Sequence, residues 1–483
     1  MTDIISNITC NIEEMDLTKF TKMDLLAMCE ENGIKKCKSK NKEELINLIN
    51  SKKQDTVLII KDTENEGTHT IDQPNNDNSM SPINISYSNL SINLTKNINS
   101  NEKKNNGIFF TPPNTIIKNL NKLKPYMENI KKVLEPSCGS CEYILMLDEK
   151  YELNITGIEI HKGIFDSIKT IEKPNIKLYN SNYLTYTTDD KYDLIIGNPP
   201  YFVMNKDDVE PLYYDYFDGR PNIFILFIIK SLQLLNTNGI LSFVLPKSFL
   251  NCLYYDKTRK YIIEQFKIID IIECNDKYIE TSQETIILIL QNSIGSSHND
   301  VFCLNNIKFT IFGLPESINK MYSLYDGATT LSQLGFKVNV GNIVWNQRKD
   351  VLTNDTTKTL LIYSSDIKNN KLSIQNYSNE AKKNYIDETG ESGPLLVINR
   401  GYGVGKYNFT YCLIDVDFEY LIENHLICVR YTKEISNDML KILYNKIIVS
   451  FEKNMTKEFI KLYFGNNAIN TTELCEILPI YDI

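Results

Sequence analysis

The sequence has few of the residues that build metal sites, and it has no stretch long enough to cross a membrane. Its 483 residues include four histidines and one tryptophan. The longest apolar run, 223–229, has seven residues, whereas a membrane span needs about 20. Eleven cysteines, an odd number scattered from Cys10 to Cys475, indicate reduced thiols and no disulfide framework. We therefore expect no metal site, no structural disulfide and no membrane segment.

A secretory signal and a positive net charge are also lacking. The opening residues, MTDIISN, have neither a basic start nor an apolar core, so we expect an intracellular protein. The net charge of −9 means that any nucleic-acid contact would need a local basic patch. With 42% apolar and 23% charged residues, the composition is typical of globular proteins, and the length allows two or three domains.

Residues 1–52 are predicted to form a small helical module. Two short helices would lie on either side of KKCKSKNK (35–42), which carries five lysines in eight residues. The pattern DLLAMCEENGIKK…KNKEELINLI resembles the SAP module, which binds duplex DNA. That resemblance implies phosphate contacts from Lys35, Lys36, Lys38, Lys40 and Lys42. The alternative, a solvated lysine-rich turn, stays open.

The rest of the chain divides into three parts. Residues 53–106 are rich in Asn and Ser and are predicted to be a flexible linker. Residues 107–296 alternate strand and helix signals, which predicts an α/β domain with a mainly parallel sheet. Seven strands are expected, near 131–135, 154–160, 176–179, 192–197, 239–245, 268–273 and 285–291. Residues 297–483 lose the alternation and are predicted to form a separate, mixed α+β domain.

The strongest chemical signal is Asn198-Pro199-Pro200-Tyr201, directly after the apolar strand YDLIIG. Prolines cannot continue a central strand, so these residues lie at the carboxyl edge of the sheet, where ligands bind in such folds. The Asn198 carboxamide oxygen and the Pro199 carbonyl can both accept hydrogen bonds from one –NH₂ group, which frees the nitrogen lone pair for attack. Tyr201 offers a ring face for a planar group. A plain turn is the alternative interpretation.

With this motif the chain resembles the γ-class, TaqI-like family of DNA adenine-N6 methyltransferases. Further matches follow in the family's order, in FFTPP (109–113), LEPSCGSCEYI (134–144), GIEI (157–160) and SNYL (181–184). The resemblance implies a Rossmann-like, seven-stranded class I methyltransferase domain that binds S-adenosylmethionine. The implied cofactor residues are Phe110, Thr111, Pro112, Glu135, Pro136, Ser137, Gly139, Glu159, Ile160, Asn182, Tyr183 and Asn198.

The chemistry of these residues agrees with that role. Gly139 allows close approach of the backbone to a ligand, and Glu159, twenty residues later at a strand end, can accept both ribose hydroxyls. Glu135 places negative charge near the cationic methionine end. Asn182 stands where the family usually has Asp. The family also holds the target base with an aromatic residue, for which Tyr278 is the nearest candidate, although strict spacing selects Ile279.

Three other motifs give weaker indications of function. Cys138 and Cys141 form a C-x-x-C without a second pair at zinc spacing, so we interpret both as small loop residues. His161 is interpreted as a polar residue at the rim of the site. The segment GYGVG (401–405) lacks the Lys-Ser/Thr of a P-loop.

The C-terminal third resembles the TaqI-like specificity domain. Its segments VGNIVWNQRK (340–349) and VINRGYGVGKYNF (397–409) contain amide, guanidinium and ammonium groups suited to base edges and phosphates. The candidate DNA-binding residues are Trp345, Asn346, Gln347, Arg348, Lys349, Asn399, Arg400, Tyr402 and Lys406.

The sequence therefore predicts a site-specific enzyme that methylates N6 of a flipped adenine in duplex DNA, of restriction-modification type. Expected partners are double-stranded DNA and a cognate restriction endonuclease, with a monomer favoured. RNA adenine and protein glutamine stay open as acceptors. Another alternative is a restriction nuclease fused to a methylase, but the only nuclease-like carboxylate-lysine pair in the sequence is Glu380 with Lys382. A nicotinamide-dependent oxidoreductase would need a glycine fingerprint that this sequence lacks. A noncatalytic DNA-binding scaffold would not need the intact residues 198–201.

Overall fold

The structure of the protein is a computed structural model. It describes residues 86–281, 283–293, 296–305, 308–377, 379–400, 408–464 and 469–483, together with Lys42 and Leu45. Nearly all of these belong to one compact unit, Asn84–Ile483.

A seven-stranded sheet organises the first half of this unit. Its strands are β1 (Lys132–Glu135), β2 (Asn154–Glu159), β3 (Ile176–Asn180), β4 (Tyr192–Gly197), β5 (Leu235–Pro246), β6 (Lys267–Cys274) and β7 (Thr285–Gln291). The strand order is β3-β2-β1-β4-β5-β7-β6. Strands β1 to β5 pair in parallel, and β7 runs antiparallel to both β5 and β6. The mainly parallel sheet and all seven predicted strands are confirmed.

Helices cover both faces of the sheet. On one face α3 (Pro113–Leu123), α4 (Glu142–Asp148) and α5 (Lys162–Ile168) pack through residues such as Ile116 and Ile144. On the other face lie α6 (Ile223–Gln233) and α7 (Asp256–Gln265), through residues such as Phe224 and Ile262. Helix α6 contains the longest apolar run of the sequence, and nine of its eleven residues are buried. An apolar helix of this kind belongs in a protein core.

The predicted linker is wrong over its last part. Residues Asn89–Asn97 form helix α1 and Ser100–Asn106 form helix α2. The polar residues that suggested a linker serve as helix caps, because the Ser88 side chain accepts from Ser91 N and the Asn99 side chain accepts from Asn101 N. Leu94 and Lys103 are buried against the rest of the domain. Tertiary contacts therefore stabilise helices with little periodicity of their own.

The C-terminal half is a mixed α+β arrangement, as predicted. Its strands are β8 (Cys303–Leu304), β9 (Ile311–Phe312), β10 (Phe336–Val340), β11 (Leu352–Thr353), β12 (Thr359–Ile362), β13 (Ile367–Lys368), β14 (Lys371–Leu372), β15 (Tyr385–Ile386), β16 (Leu395–Asn399), β17 (Tyr411–Ile414), β18 (Tyr420–Ile422) and β19 (Leu426–Tyr431). Two four-stranded sheets have the orders β10-β19-β16-β17 and β11-β15-β12-β18. Four helices accompany them, α8 (Pro315–Tyr325), α9 (Asn437–Glu452), α10 (Asn454–Tyr463) and α11 (Thr471–Glu476).

The predicted N-terminal module lies outside the described residues, except that Lys42 is helical and exposed and Leu45 is helical and buried. Lys35, Lys36, Lys38 and Lys40 are not described, so their DNA-binding role stays a prediction. None of the helices in the described part of the chain combines the length and apolarity that a bilayer crossing requires.

Candidate active site

A cavity of about 390 Å³ opens at the carboxyl ends of β1, β2 and β4. This volume falls within the range typical of sites for small molecules and cofactors. Among its lining residues are nine of the predicted cofactor residues, Phe110, Pro136, Ser137, Gly139, Glu159, Ile160, Asn182, Tyr183 and Asn198. Thr111 and Glu135 line an adjoining cavity of about 40 Å³. Pro112 lines neither cavity. It is the buried N-cap residue of helix α3.

Glu159, at the end of β2, is held in place by two backbone amides. Its Oε2 accepts a hydrogen bond of 2.9 Å from Gly139 N, and its Oε1 accepts one of 2.7 Å from His161 N. Burial raises the pKa of this carboxyl, and the two amide hydrogen bonds act against that rise. Each carboxylate oxygen keeps a second lone pair, so the group can accept two ligand hydroxyls as well.

The backbone of the glycine loop comes close to the cavity wall. Gly139 has φ +50°, and a Cβ built there would lie 3.4 Å from the Phe110 ring. Gly197, the last residue of β4, also has a positive φ, of +153°, and its Cβ would lie 3.4 Å from Glu135 Cγ. Glycine suits both positions because larger residues disfavour these backbone angles.

Glu135 is a buried carboxylate with one oxygen unsatisfied. Its exposure is 3%, and within the described part of the chain Oε2 has no hydrogen-bond partner. Burial raises the pKa of Glu135 well above its ordinary range, and the nearby Cys141 and Glu159 add to this rise. A buried acceptor of this kind is costly unless a ligand supplies the missing partner. The cationic end of S-adenosylmethionine is such a partner, so these residues fit that cofactor.

Asn198 follows β4 at the mouth of the cavity, and both ends of its carboxamide have partners. Its Nδ2 donates to Phe109 O at 3.2 Å, and its Oδ1 accepts from the Tyr201 hydroxyl at 2.6 Å. The backbone is fixed as well, because Ser137 Oγ donates to Asn198 O at 3.1 Å. Since Nδ2 is occupied by a carbonyl, the carboxamide has a defined orientation.

Tyr201 turns its hydroxyl into the protein. The hydroxyl lies 2.6 Å from Asn198 Oδ1 and 2.8 Å from Val244 O, two acceptors that compete for one proton. The ring meets Phe224 edge-on, with centroids 5.9 Å apart. If an incoming amine occupied Asn198 Oδ1, Tyr201 could still donate to Val244.

Tyr278 is buried, whereas its neighbour Ile279 is 47% exposed. Tyr278 lines a narrow cleft together with Phe109 and Phe110, next to the turn that carries Asn198. Among the described residues its hydroxyl makes no well-formed hydrogen bond, and the Thr285 side chain lies nearby. Burial raises its pKa well above the usual value for tyrosine. Tyr278 and Ile279 both line the cleft, and only Tyr278 provides an aromatic ring there that could hold a base.

Three residues near the cavity have roles that the sequence did not reveal. His161 caps helix α5 by accepting from Ile164 N through Nδ1, and its Nε2 lies 3.0 Å from Glu102 Oε1. Glu142 accepts from the hydroxyls of Ser88 and Ser91, at 2.5 Å each. The one sequence signal that could have revealed the helices making these contacts is the pattern of helix caps in residues 88–107. The contacts of His161 with Glu102 and of Glu142 with the two serines join segments distant in sequence, whereas the cap by His161 is local.

The cysteines have no metal-binding arrangement in the described residues. Cys138 and Cys141 are both buried free thiols within the glycine loop. Across the described ranges, no cluster of three or more His, Cys, Asp or Glu side chains could hold a metal ion.

The candidate DNA readers of the C-terminal half come from two segments that share one edge. Trp345–Gln347 form a short 3₁₀ turn after Ile343, which pairs with the strand end at Ile422. Arg400 follows β16, is exposed, and donates its amide to His425 O at 3.1 Å.

Several of these readers already have partners. Arg348 forms an ion pair with Glu388 at 3.3 Å, and Lys349 lies over the Trp345 ring. Asn346 and Gln347 are exposed, and Asn399 ends β16. Tyr402 and Lys406 are outside the described residues. Lys382, considered above for a nuclease, packs between the rings of Tyr363 and Tyr377, at 4.2 and 3.9 Å from their centroids.

Several known proteins are similar to this chain. The family model described as Eco57I restriction-modification methylase matches residues 11–279. The modification methylase CviBIII of Paramecium bursaria Chlorella virus NC1A is 24% identical over 417 residues, which cover 82% of this chain and 99% of that protein. The type II methyltransferase M.CvrRI of Paramecium bursaria Chlorella virus XZ-6E is also 24% identical, over 408 residues, with the same coverage.

Among solved structures, the type IIG restriction endonuclease BpuSI is 9% identical with a TM-score of 0.39, over 82% of this chain and 60% of that one. The family match extends over more than half of the chain and includes the cofactor loop and the Asn198 turn. The chain belongs to the Eco57I restriction-modification methylase family.

Proposed function

We propose that this protein transfers the methyl group of S-adenosylmethionine to the N6 amino group of an adenine flipped out of duplex DNA. The observation that carries the proposal is the Asn198 carboxamide. It stands beside the cofactor cavity, with its nitrogen held by Phe109 O and its oxygen directed toward Tyr201. An oriented amide oxygen next to a backbone carbonyl suits an exocyclic amine.

The cofactor residues supply binding and orientation. Glu159 accepts the ribose hydroxyls, Glu135 faces the cationic methionine end, and Asn182 offers an acceptor to the adenine ring. When bound, the cofactor supplies a methyl group on a positively charged sulfonium. The contribution of the chain to the rate is therefore chiefly alignment of the acceptor nitrogen with that methyl group.

The acceptor residues draw the amine out of conjugation. Asn198 Oδ1 and the Pro199 carbonyl each accept one N–H of the amino group, which directs the nitrogen lone pair toward the cavity. Tyr201 then keeps its hydroxyl proton and donates a hydrogen bond to Val244 O, 2.8 Å away. Pro200 forms part of the cavity wall, and the Tyr278 ring packs against the flipped base.

The remaining parts of the chain select the DNA. We assign sequence reading to residues 297–483, through the exposed groups around Asn346 and Arg400, and nonspecific phosphate contacts to the lysines of residues 35–42. A type II modification enzyme protects DNA, so a cognate restriction endonuclease acting on the same site is the expected partner. The relatives named as type II methyltransferases support this assignment.

The test is to identify the methylated nucleoside in DNA from cells that express the protein, by mass spectrometry and methylation-sensitive sequencing. The expected product is N6-methyladenine at one recurring sequence. Asn198→Ala should lower the rate of methyl transfer by at least about 10²-fold, with cofactor affinity retained. Asn205→Ala, an exposed position on the following loop, serves as the control. Methylation of cytosine, RNA or protein only, or wild-type activity in Asn198→Ala, would contradict the proposal.

A further inference from the structure

Helices α1 and α2, residues 89–106, form what we call the strap. On the cofactor side, Ser91 Oγ donates to Glu142 and lies 2.8 Å from Ser140 Oγ, and Ser88, the cap residue just before the strap, also donates to Glu142. Glu102 contacts His161 at the rim of the cavity. The strap is therefore attached to the cofactor loop by several neutral and charged hydrogen bonds.

On the acceptor side, one buried lysine supplies the ion pair between the strap and the loop 276–281, and Tyr87, Thr115 and Lys118 also contact that loop. Lys103 is 4% exposed, and its Nζ donates to Thr95 O at 2.5 Å and to Glu280 Oε1 at 2.6 Å. The Glu280 side chain is 33% exposed. The ammonium group therefore has one partner within the strap and one on the loop 276–281.

That loop carries Tyr278. The cleft beside Asn198 has two walls, one from Thr95 and residues 108–110, the other from Tyr278, Ile279 and Glu280. Among the described residues, the Tyr278 hydroxyl interacts only weakly, with the Thr285 side chain. The Lys103–Glu280 pair joins the two walls, because Lys103 also donates to Thr95 O.

We propose that Lys103 is a positioning residue for methyl transfer, which acts through Glu280 to hold Tyr278 at the distance that a flipped base requires. The inference rests on the proposed function and deepens it. A buried ammonium paired with a carboxylate is firmly oriented, because moving either group would leave a charge without its partner in a medium of low dielectric constant. The serine and Glu102 contacts hold the cofactor side independently of this pair.

The experiment uses the full chain and the variants Lys103→Met, Glu280→Gln and the double variant. We measure kcat and KM for duplex DNA carrying the methylated sequence, and the Kd of S-adenosylmethionine by calorimetry. Each single variant should lower kcat/KM for DNA by about ten-fold, and the double variant should be no worse than either, since both remove one interaction. Cofactor Kd should change less than about two-fold. Lys104→Met, the exposed neighbour, is the matched control.

The result separates this inference from the proposed function. If the wild type does not methylate DNA, the proposed function itself fails. If the wild type is active and Lys103→Met matches Lys104→Met in kcat/KM, the positioning role is wrong. Additive losses in the double variant, or a loss of cofactor affinity equal to the loss of kcat/KM, also overturn it. Should Lys103→Met fold poorly, Glu280→Gln provides the same test from the half-exposed side.

Discussion

Asn198 Nδ2 donates a hydrogen bond of 3.2 Å to the carbonyl oxygen of Phe109, a residue 89 positions earlier in the chain. This contact fixes the orientation of the carboxamide, because a carboxamide turned the other way would place its oxygen against the carbonyl oxygen of Phe109. Phe109 is brought there by the chain reversal at Gly107, which ends helix α2 with φ +65°. A Cβ at Gly107 would lie 2.7 Å from Tyr201 N.

Gly107→Ala should therefore lower kcat by about 10- to 100-fold, since small displacements of aligned groups are costly. Steady-state methylation of DNA provides the measurement. Gly327→Ala is a matched control, because Gly327 has φ +67° but nothing within 4 Å of the added Cβ. It shares the backbone strain without the collision. Equal kcat values in the two variants would contradict the argument.

Glu135→Gln should remove a proton release that accompanies cofactor binding. Burial raises the pKa of Glu135, and a cationic ligand favours its ionised form, so cofactor binding should release a proton at any pH where the free protein still holds one on this group. Affinity for S-adenosylmethionine should accordingly rise with pH until Glu135 ionises without the ligand. Calorimetry in buffers of different ionisation enthalpy measures the released proton. Glu149→Gln, an exposed site, should behave as the wild type.

Arg259→Met should destabilise the fold. Arg259 is fully buried on α7, where its Nε donates to Thr310 O at 2.6 Å and its Nη1 donates to Phe249 O and Cys252 O. Removing the guanidinium leaves these acceptors unpaired, with an expected loss of about 3–5 kcal/mol in the free energy of unfolding. Urea unfolding measures it. Lys257→Met, whose surface pair with Asp218 is 2.9 Å long, should change stability by less than about 1 kcal/mol.

Glu473→Gln should change how stability depends on pH. Burial raises the pKa of Glu473 from 4.5 to about 7. Its contribution to stability is therefore full below about pH 4.5, decreases as pH rises, and is lost above about pH 7.

Glutamine keeps the capping hydrogen bonds with Asn470 but cannot ionise. The variant should match the wild type near pH 4.5 and exceed it by about 2–3 kcal/mol at pH 8, as measured by urea unfolding. A difference that does not vary with pH would contradict this.

Much of the catalytic half was predictable from local patterns. All seven strands were found because strands buried on both faces of a sheet are short apolar runs bounded by turns. The position of Asn198 followed from two prolines that cannot continue β4. The strap was missed because its Asn and Ser residues act as caps, a role that local composition does not distinguish from that of a linker.

The sequence by itself determined where the strands lie along the chain, the loops that follow them and the chemistry of Asn198, Glu135 and Glu159. These depend on residues close together in the chain. Only the tertiary structure decided that Lys103 meets Glu280, 177 residues away, and that Phe109 orients Asn198. Such contacts depend on how distant segments pack, and the free energy of packing is shared among many side chains that no local pattern records.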